Sequence, residues 1–193
     1  MNEIRKTLKE RLNSEAPRNV EHPTRTVAAV LVPLFEKEGE PYLLFTKRSD
    51  SVQHHRNEIS FPGGVRDEND PDLQHTALRE LQEEVSVPPE NVEVLGSMDP
   101  IRTYSSSYIV VPFVGLLKKD SVFAANRDEV EEILQIPLRH LKDPSIFTEQ
   151  EFVLENRAIP VYYYRWQSHT IWGLTGRILK HLLDLMQEGA HTP

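Results

Sequence analysis

The chain has 193 residues, 38% of them hydrophobic, which is enough for one domain with a well-filled core. Cysteine is absent, which rules out disulfides and thiolate metal sites, and a formal net charge of −8 argues against a broad nucleic-acid surface. No apolar run approaches the roughly 20 residues that span a bilayer, and the N-terminal segment is too charged for a secretory signal, so we expect a cytoplasmic protein without membrane partners.

An amphipathic helix is predicted near the N-terminus, because Ile4, Leu8 and Leu12 recur at four-residue intervals. Pro17 follows this pattern, and the helix should end before it. We interpret residues 1–20 as a helical extension that either caps the core or contacts a partner. The remainder of the chain, residues 21–193, is predicted to form a single domain.

A β-hairpin is predicted next. Residues 27–35 form a continuous apolar run with several β-branched side chains, and residues 42–46 form a second run after a charged turn. The polar segment 50–58 has no clear periodicity, so we predict a loop there. Its two histidines, His54 and His55, are treated as solvated side chains or phosphate contacts rather than as catalytic groups.

The stretch from Phe61 to Gly64 predicts the end of a strand, followed by two glycines that are free to adopt positive φ and let the backbone approach a ligand. A diglycine by itself indicates only a turn. Asp70-Pro71 predicts the start of a helix, with Asp70 as the N-cap and proline at the first helical position. This capping role competes with a metal-binding role for Asp70.

The predicted helix that follows has a concentrated acidic face. At about 100° per residue, one face carries the apolar residues Ala77, Leu78, Leu81 and Val85. The neighbouring arc carries Glu80, Glu83 and Glu84, whose like charges repel, so a cation should lie among them. We expect Arg79 to hold Glu83, which leaves Glu80 and Glu84 to bind a hard divalent ion such as Mg²⁺. The alternative for this acidic string alone is a solvated helix face.

The exit of this helix carries Ser86. A left-handed cap at a non-glycine residue costs about 1 kcal/mol, so we expect either a tolerated strain or a different helix exit. Strands are predicted at residues 92–95 and 108–117, and the second is mostly apolar and therefore buried. The segment 126–133 is interpreted as a charged loop before a strand. Two strands near 152–154 and 161–164 and a C-terminal helix complete the predicted elements.

Several of these residues together resemble the signature of the Nudix hydrolases, a glycine, an acidic loop and then Arg-Glu-apolar-x-Glu-Glu. They are Gly64, Asp70 and the string from Arg79 to Glu84. The resemblance implies an α/β fold, a Nudix-type α/β/α sandwich with a curved mixed sheet and a loop-helix-loop catalytic unit. It implies a diphosphatase that uses Mg²⁺ or Mn²⁺ held by Glu80, Glu83 and Glu84, with Arg79 fixing the carboxylate array.

Further features resemble the coenzyme A diphosphatase branch of that family. The spacing from Gly64 to Arg79 is one residue longer than the common form, and three blocks match, LLFTKRS, ISFPGG and IWGLTG. The branch usually has an arginine and a glycine where this chain has Gln53 and Asn57. The resemblance implies hydrolysis of coenzyme A or acyl-coenzyme A. The alternatives are another nucleoside diphosphate derivative such as ADP-ribose, or a non-catalytic binding module.

The resemblance also suggests roles for residues around the acidic helix. Cations near the glycines are candidates for phosphate binding, and the glycine amides could donate to phosphate oxygens as in an anion-binding nest. The predicted substrate-binding residues are therefore Lys47, Arg48, Arg56, Gly63 and Gly64. The family often supplies a further carboxylate from the segment 126–133, for which we choose Glu129. As general base we prefer Glu83 over Glu129, because Glu83 lies on the helix with the metal ligands.

Overall fold

The computed structural model describes residues 1–12, 24–49, 58–104, 107–154 and 157–187. The helices are α1 (Asn2–Arg11), α2 (Leu73–Val85), α3 (Leu138–Leu141) and α4 (Gly173–Gln187). The strands of the larger sheet are β1 (Thr26–Lys37), β2 (Glu40–Arg48), β3 (Ile59–Ser60), β4 (Gly63–Val65), β5 (Val92–Ser97), β6 (Ile101–Arg102), β7 (Tyr108–Leu117) and β8 (Val130–Pro137). A smaller sheet contains β9 (Phe147–Leu154), β10 (Arg157–Trp166) and β11 (His169–Ile171).

The larger sheet is mixed and has β1 at its centre. This strand pairs in parallel with β7 and antiparallel with β2 and β4. The predicted hairpin of β1 and β2 is confirmed, and its turn residues Glu38 and Gly39 have φ of 54° and 81°. Positive φ at both central residues is what a two-residue hairpin turn requires.

Two apolar clusters lie on opposite faces of this sheet. Alternate residues of β1 serve the two clusters, because successive side chains of a strand point to opposite faces. Leu31 and Phe35 belong to the cluster with α2, whereas Val32 and Leu34 belong to the cluster with α1 and α4. The predicted α/β/α sandwich is therefore confirmed.

The helix α1 packs into the core, one of the two roles left open by its amphipathic pattern. Leu8 is completely buried, and it lies in the same cluster as Leu182 and Leu183 of α4. The polar side of α1 is tied to β5, since Arg5 Nε donates to Glu93 Oε2 at 2.9 Å and Lys9 Nζ lies 2.7 Å from Glu93 Oε1. Among the described residues, no helix is both long and apolar enough to cross a membrane.

The contacts of Glu93 give a prediction for the pH dependence of stability. Hydrogen bonds from Arg5 and Lys9 lower the pKa of Glu93 to about 2, from an ordinary value of 4.5. The stabilisation is thus present above pH 4.5 and is lost as the pH falls towards about 2. We expect Glu93→Gln to lower Tm slightly at neutral pH, and the difference from wild type to shrink in acid and at high salt. Circular dichroism melts can measure both trends, and Glu90→Gln, at an exposed position, is the control. An unchanged Tm at neutral pH would contradict a stabilising role.

Three sequence-based expectations about the secondary structure need correction or refinement. The N-cap of α2 is Asp72, which accepts a hydrogen bond from His75 N at 2.9 Å, so the assignment of Asp70 as the cap is wrong. Asp70 instead accepts from Asp67 N and from Arg79. The acidic segment after residue 129 already belongs to β8, where Val130, Leu134 and Ile136 are buried. Ser86 does adopt the left-handed conformation, with φ 62° and ψ 27°.

Candidate functional site

Glu84 is a buried carboxylate at the C-terminal end of α2. Its exposed fraction is 3%, and both of its oxygens accept hydrogen bonds, Oε2 from Thr46 Oγ1 at 3.0 Å and Oε1 from Gly63 N at 3.1 Å. Burial raises the pKa of Glu84 to about 7, although the Gly63 and Thr46 bonds and the charge of Arg48 oppose the shift. Burial thus favours the protonated form of Glu84, and a nearby cation would favour the charged carboxylate.

Thr46 is the residue that connects Glu84 to two strands. It is fully buried at the end of the apolar run in β2, and its Oγ1 lies 3.3 Å from Ser60 Oγ of β3. No sequence pattern predicts a role for Thr46. The feature that could have indicated a role is the hydroxyl of Thr46 at the end of an apolar strand. A hydroxyl that is buried requires a hydrogen-bond partner.

Arg79 organises three other carboxylates. Its guanidinium forms two hydrogen bonds with Asp70, from Nε to Oδ1 and from Nη2 to Oδ2, both at 3.1 Å. Its Nη1 lies 2.8 Å from Glu83 Oε2 and 2.8 Å from Glu80 Oε1. Arg79 therefore holds Glu83 as expected, and it also holds Glu80, because one planar guanidinium can serve several acceptors.

The contacts between Arg79 and Asp70 shift the pKa values of both side chains. The hydrogen bond to Asp70 is the main reason that the pKa of Arg79 is raised, and the charges of Glu80 and Asp70 act in the same direction. Burial would raise the pKa of Asp70, but the bonds from Arg79, Asp67 and Thr76 outweigh it and lower the pKa. The Arg79–Asp70 pair is thus locked in its charged form.

Glu80 lies against Gly64, with 13% of its side chain exposed. Burial raises the pKa of Glu80, Arg79 opposes the shift, and the negative charges of Glu83 and Glu129 add to it. A Cβ atom at Gly64 would lie 2.3 Å from Glu80 Oε1, so no other residue fits there without moving the carboxylate. A side chain at position 64 would therefore displace the Glu80 carboxylate from its place beside Arg79.

The conformation of the two glycines corrects an expectation. Neither Gly63 nor Gly64 has positive φ, and both belong to β4, which pairs with β1. A Cβ at Gly63 would lie 2.4 Å from the carbonyl oxygen of Ala29. The N–H group of Gly63 donates to Glu84, so we replace its predicted role as a phosphate donor with the role of holding that carboxylate.

The predicted phosphate-binding cations differ in their surroundings. Lys47 Nζ lies 2.9 Å from Glu131 Oε1, so this ammonium group is already paired. Arg48 lies close enough to Glu84 for its charge to lower the pKa of that carboxyl, and Arg48 Nε is buried without a hydrogen-bond partner in the described part of the chain. Arg56, together with His54, His55, Gln53 and Asn57, lies outside the described residues.

Glu129 approaches the acidic face of α2 from a separate segment. Asn126 N donates to the carbonyl of Glu84 at 2.9 Å, and Glu129 N donates to the carbonyl of Asn126 at 3.1 Å. The backbone carbonyl of Glu129 accepts from Ser49 N at 2.9 Å. The Glu129 charge adds to the raised pKa of Glu80, after burial and the charge of Glu83.

The donor set is suited to a hard divalent cation. Within the segments that the structure describes, no three carboxylate or imidazole side chains converge on one point as a complete metal site. Burial nevertheless raises the pKa of both Glu80 and Glu84, and neighbouring carboxylates add to each shift, Glu83 and Glu129 for Glu80 and Glu80 for Glu84. Carboxylate oxygens are the ligands that Mg²⁺ and Mn²⁺ prefer, and a bound cation would relieve this accumulation of negative charge.

Comparison with known proteins agrees with this geometry. The NUDIX domain family model matches residues 24–161. A protein of Photorhabdus laumondii described as "Uncharacterized Nudix hydrolase NudL" is 39% identical over 160 residues, which is 83% of this chain and 84% of that protein.

Two solved structures share the fold. A MutT/nudix family protein from Enterococcus faecalis aligns with a TM-score of 0.54 at 18% identity, covering 89% of this chain and 66% of that chain. The NUDIX domain of Shewanella oneidensis NrtR, solved in complex with ADP ribose, aligns with a TM-score of 0.50 at 21% identity, covering 62% and 80%. At these identities the likeness concerns the fold.

Proposed function

The chain belongs to the Nudix hydrolase family, and we propose that it cleaves the diphosphate of coenzyme A or acyl-coenzyme A to adenosine 3′,5′-bisphosphate and 4′-(acyl)phosphopantetheine. The observation that carries this proposal is how Glu84 is held. Its two hydrogen-bond donors are Thr46 of the LLFTKRS block and Gly63 of the ISFPGG block. Both blocks belong to the coenzyme A resemblance, so residues typical of that branch also build the carboxylate site.

Hydrolases of this family generally use divalent metal ions, and we assign Mg²⁺ or Mn²⁺ to Glu80 and Glu84, with Glu83 at the margin of the site. When bound, such an ion withdraws charge from the diphosphate oxygens and activates water. The carboxylates raise the local negative charge, which would repel a diphosphate if no cation were bound. Activity should therefore depend wholly on a divalent metal.

The other residues of the site orient these carboxylates. Thr46 and Gly63 fix both oxygens of Glu84, and Arg79, itself anchored on Asp70, holds Glu80 and Glu83. Fixed charges and dipoles of this kind need not reorganise during the reaction. Arg48 is the cation best placed to contact the diphosphate, because its charge acts on Glu84.

Two carboxylates remain candidates for the general base. Protonating Glu83 would break its 2.8 Å ion pair with Arg79. No ion pair holds the side chain of Glu129 within the described residues, and Glu129 comes from a segment that faces the helix. These contacts favour Glu129 and reverse the preference that the sequence suggested.

The base assignment predicts different pH–rate profiles for two variants. We expect Glu129→Gln to lose the acidic limb of kcat, because the group that accepts the proton is gone. Glu83→Gln should keep that limb and lose rate evenly across the pH range. Steady-state kinetics at saturating metal between about pH 5 and 9 can distinguish the two. If only Glu83→Gln loses the acidic limb, Glu83 is the base.

A substrate panel tests the proposed function. Coenzyme A, acetyl-coenzyme A, dephospho-coenzyme A and ADP-ribose are each incubated with the protein and Mg²⁺ or Mn²⁺, and the products are identified by mass. We expect adenosine 3′,5′-bisphosphate from the first two, and no product with EDTA. Preferential cleavage of ADP-ribose would assign another specificity, and no metal-dependent turnover at all would favour a binding module. Glu84→Gln protein, purified identically, controls for contaminating hydrolases.

A further inference from the structure

The helix α2 ends in a conformation that is unfavourable for its terminal residue. Ser86 is left-handed, with φ 62° and ψ 27°, and its N–H group donates to the carbonyl of Gln82 at 2.9 Å. Glycine would adopt this backbone without strain. Serine adds one feature that glycine lacks, a hydroxyl, and Ser86 Oγ donates to the carbonyl oxygen of Ala124 at 3.1 Å.

The segment that receives this hydrogen bond is also attached to the helix backbone. Ala124 N donates to the carbonyl of Val85 at 3.1 Å, and Asn126 N donates to the carbonyl of Glu84 at 2.9 Å. The last carbonyls of a helix lack partners within the helix, so these N–H groups satisfy them. The Ser86 hydroxyl and the two amides thus attach residues 124–126 to the C-terminal end of α2.

The attached segment leads directly to the candidate base. The carbonyl of Asn126 accepts from Glu129 N at 3.1 Å and from Val130 N at 2.7 Å, which closes a tight turn before β8. The helix end that carries Glu84 therefore also determines where this turn begins. A shift of residues 124–126 would move Glu129 relative to Glu80 and Glu84.

We propose that Ser86 is a positioning residue, whose hydroxyl fixes residues 124–126 on the end of α2 and so sets the place of Glu129 relative to the metal-binding carboxylates. The inference rests on the proposed function, in which Glu129 accepts a proton from the attacking water. This role explains why a strained serine occupies position 86. The Ser86 side chain makes the left-handed backbone unfavourable, but it also provides the hydroxyl that donates to Ala124.

Two substitutions separate positioning from stability. Ser86→Gly removes the hydroxyl and relieves the left-handed strain, so Tm should stay unchanged or rise while kcat falls about 5- to 10-fold at similar KM, as loss of one hydrogen bond would give. Ser86→Asn tolerates the left-handed conformation and retains a donor, so it should recover most of the rate. A Ser86→Gly enzyme with wild-type kcat would overturn the proposal, as would a loss of kcat that merely follows a loss of Tm.

A double-mutant cycle tests whether Ser86 acts through Glu129. In a Glu129→Gln background, Ser86→Gly should change kcat by less than about twofold, because the residue that it positions is absent. An equal loss in both backgrounds would mean that Ser86 affects the rate by another route and would refute the inference.

Hydrogen exchange gives a readout that does not depend on activity. The amides of Ala124 and Asn126 should exchange faster in Ser86→Gly than in wild type or Ser86→Asn, because their attachment to α2 is weakened. Unchanged exchange would refute the anchoring role whatever the substrate is. The amides could also exchange faster in Ser86→Gly although the wild-type protein cleaves no diphosphate. That result would support the attachment of residues 124–126 by Ser86 and would contradict only the proposed function.

Discussion

Replacing Glu84 by glutamine should lower kcat by at least about a hundredfold, because a principal electrostatic group of the site is removed while its shape is kept. The substitution leaves room for hydrogen bonds at the same position, since the glutamine oxygen can accept from Thr46 or Gly63. The protein should therefore remain folded. A rate within a few-fold of wild type would eliminate Glu84 as a principal metal ligand.

Although Glu84→Gln should lower kcat, it should raise the stability of the protein at alkaline pH. Burial raises the pKa of Glu84 from 4.5 to about 7, so the folded state binds a proton more tightly than the unfolded state. Stability from this group is present below pH 4.5 and is lost as the pH rises through about 7. Glutamine carries no such charge, so the Tm of Glu84→Gln relative to wild type should increase from acidic to alkaline pH.

Thermal melts in EDTA can measure this trend, since metal binding would stabilise wild type and obscure it. Glu90→Gln is a matched control, because Glu90 is exposed and is not one of the proposed site residues. It should leave both kcat and the pH dependence of Tm unchanged. A constant Tm difference between Glu84→Gln and wild type across the pH range would contradict the buried, ionisable state of Glu84.

The second large effect concerns the 3′-phosphate of coenzyme A. If this phosphate is bound by a cationic side chain, the contact contributes roughly 1.5–3 kcal/mol, and dephospho-coenzyme A should be poorer by about one to two powers of ten in kcat/KM. Measuring both substrates beside ADP-ribose under identical metal conditions checks this. A preference for ADP-ribose, with no effect of the 3′-phosphate, would point to the departures at Gln53 and Asn57.

The cations implicated in this contact can be distinguished by substitution. Arg48 acts on Glu84, so we expect Arg48→Gln to lower kcat/KM for both substrates alike, as loss of a diphosphate contact would. Lys47 is paired with Glu131, and Lys47→Gln should have the smallest effect. Arg56→Gln should abolish the difference between coenzyme A and its dephospho form. If Arg48→Gln abolishes that difference instead, Arg48 binds the 3′-phosphate.

Periodicity was sufficient to predict the hairpin and α2, because residues such as Leu31 and Leu81 bury one face of a regular element. The layered architecture was predicted with the help of the family resemblance. The acidic arc of α2 followed from the same periodicity. Contacts between distant segments could not be read in this way. Thr46 and Glu84 are 38 positions apart, and nothing local indicates that they form a hydrogen bond.

The errors have identifiable physical causes. Asp70 and Asp72 are both good N-cap residues on either side of a proline, and the choice was decided by Arg79, which engages Asp70. A glycine in the sequence indicates either positive φ or lack of space, and at Gly63 only the position of the Ala29 carbonyl reveals that space is the reason. Such distinctions depend on tertiary contacts.

Because α1 packs against α4, one layer of the core cannot close until α4 has been synthesised. Until then, a growing chain exposes the part of this sheet face that α4 covers, since Leu182 and Leu183, which share a cluster with Leu8, come late in the sequence. Contacts of such long sequence separation form late and slowly, and the uncovered surface is prone to aggregation meanwhile. During biosynthesis, chaperones should therefore bind this face of the sheet rather than the face that α2 covers.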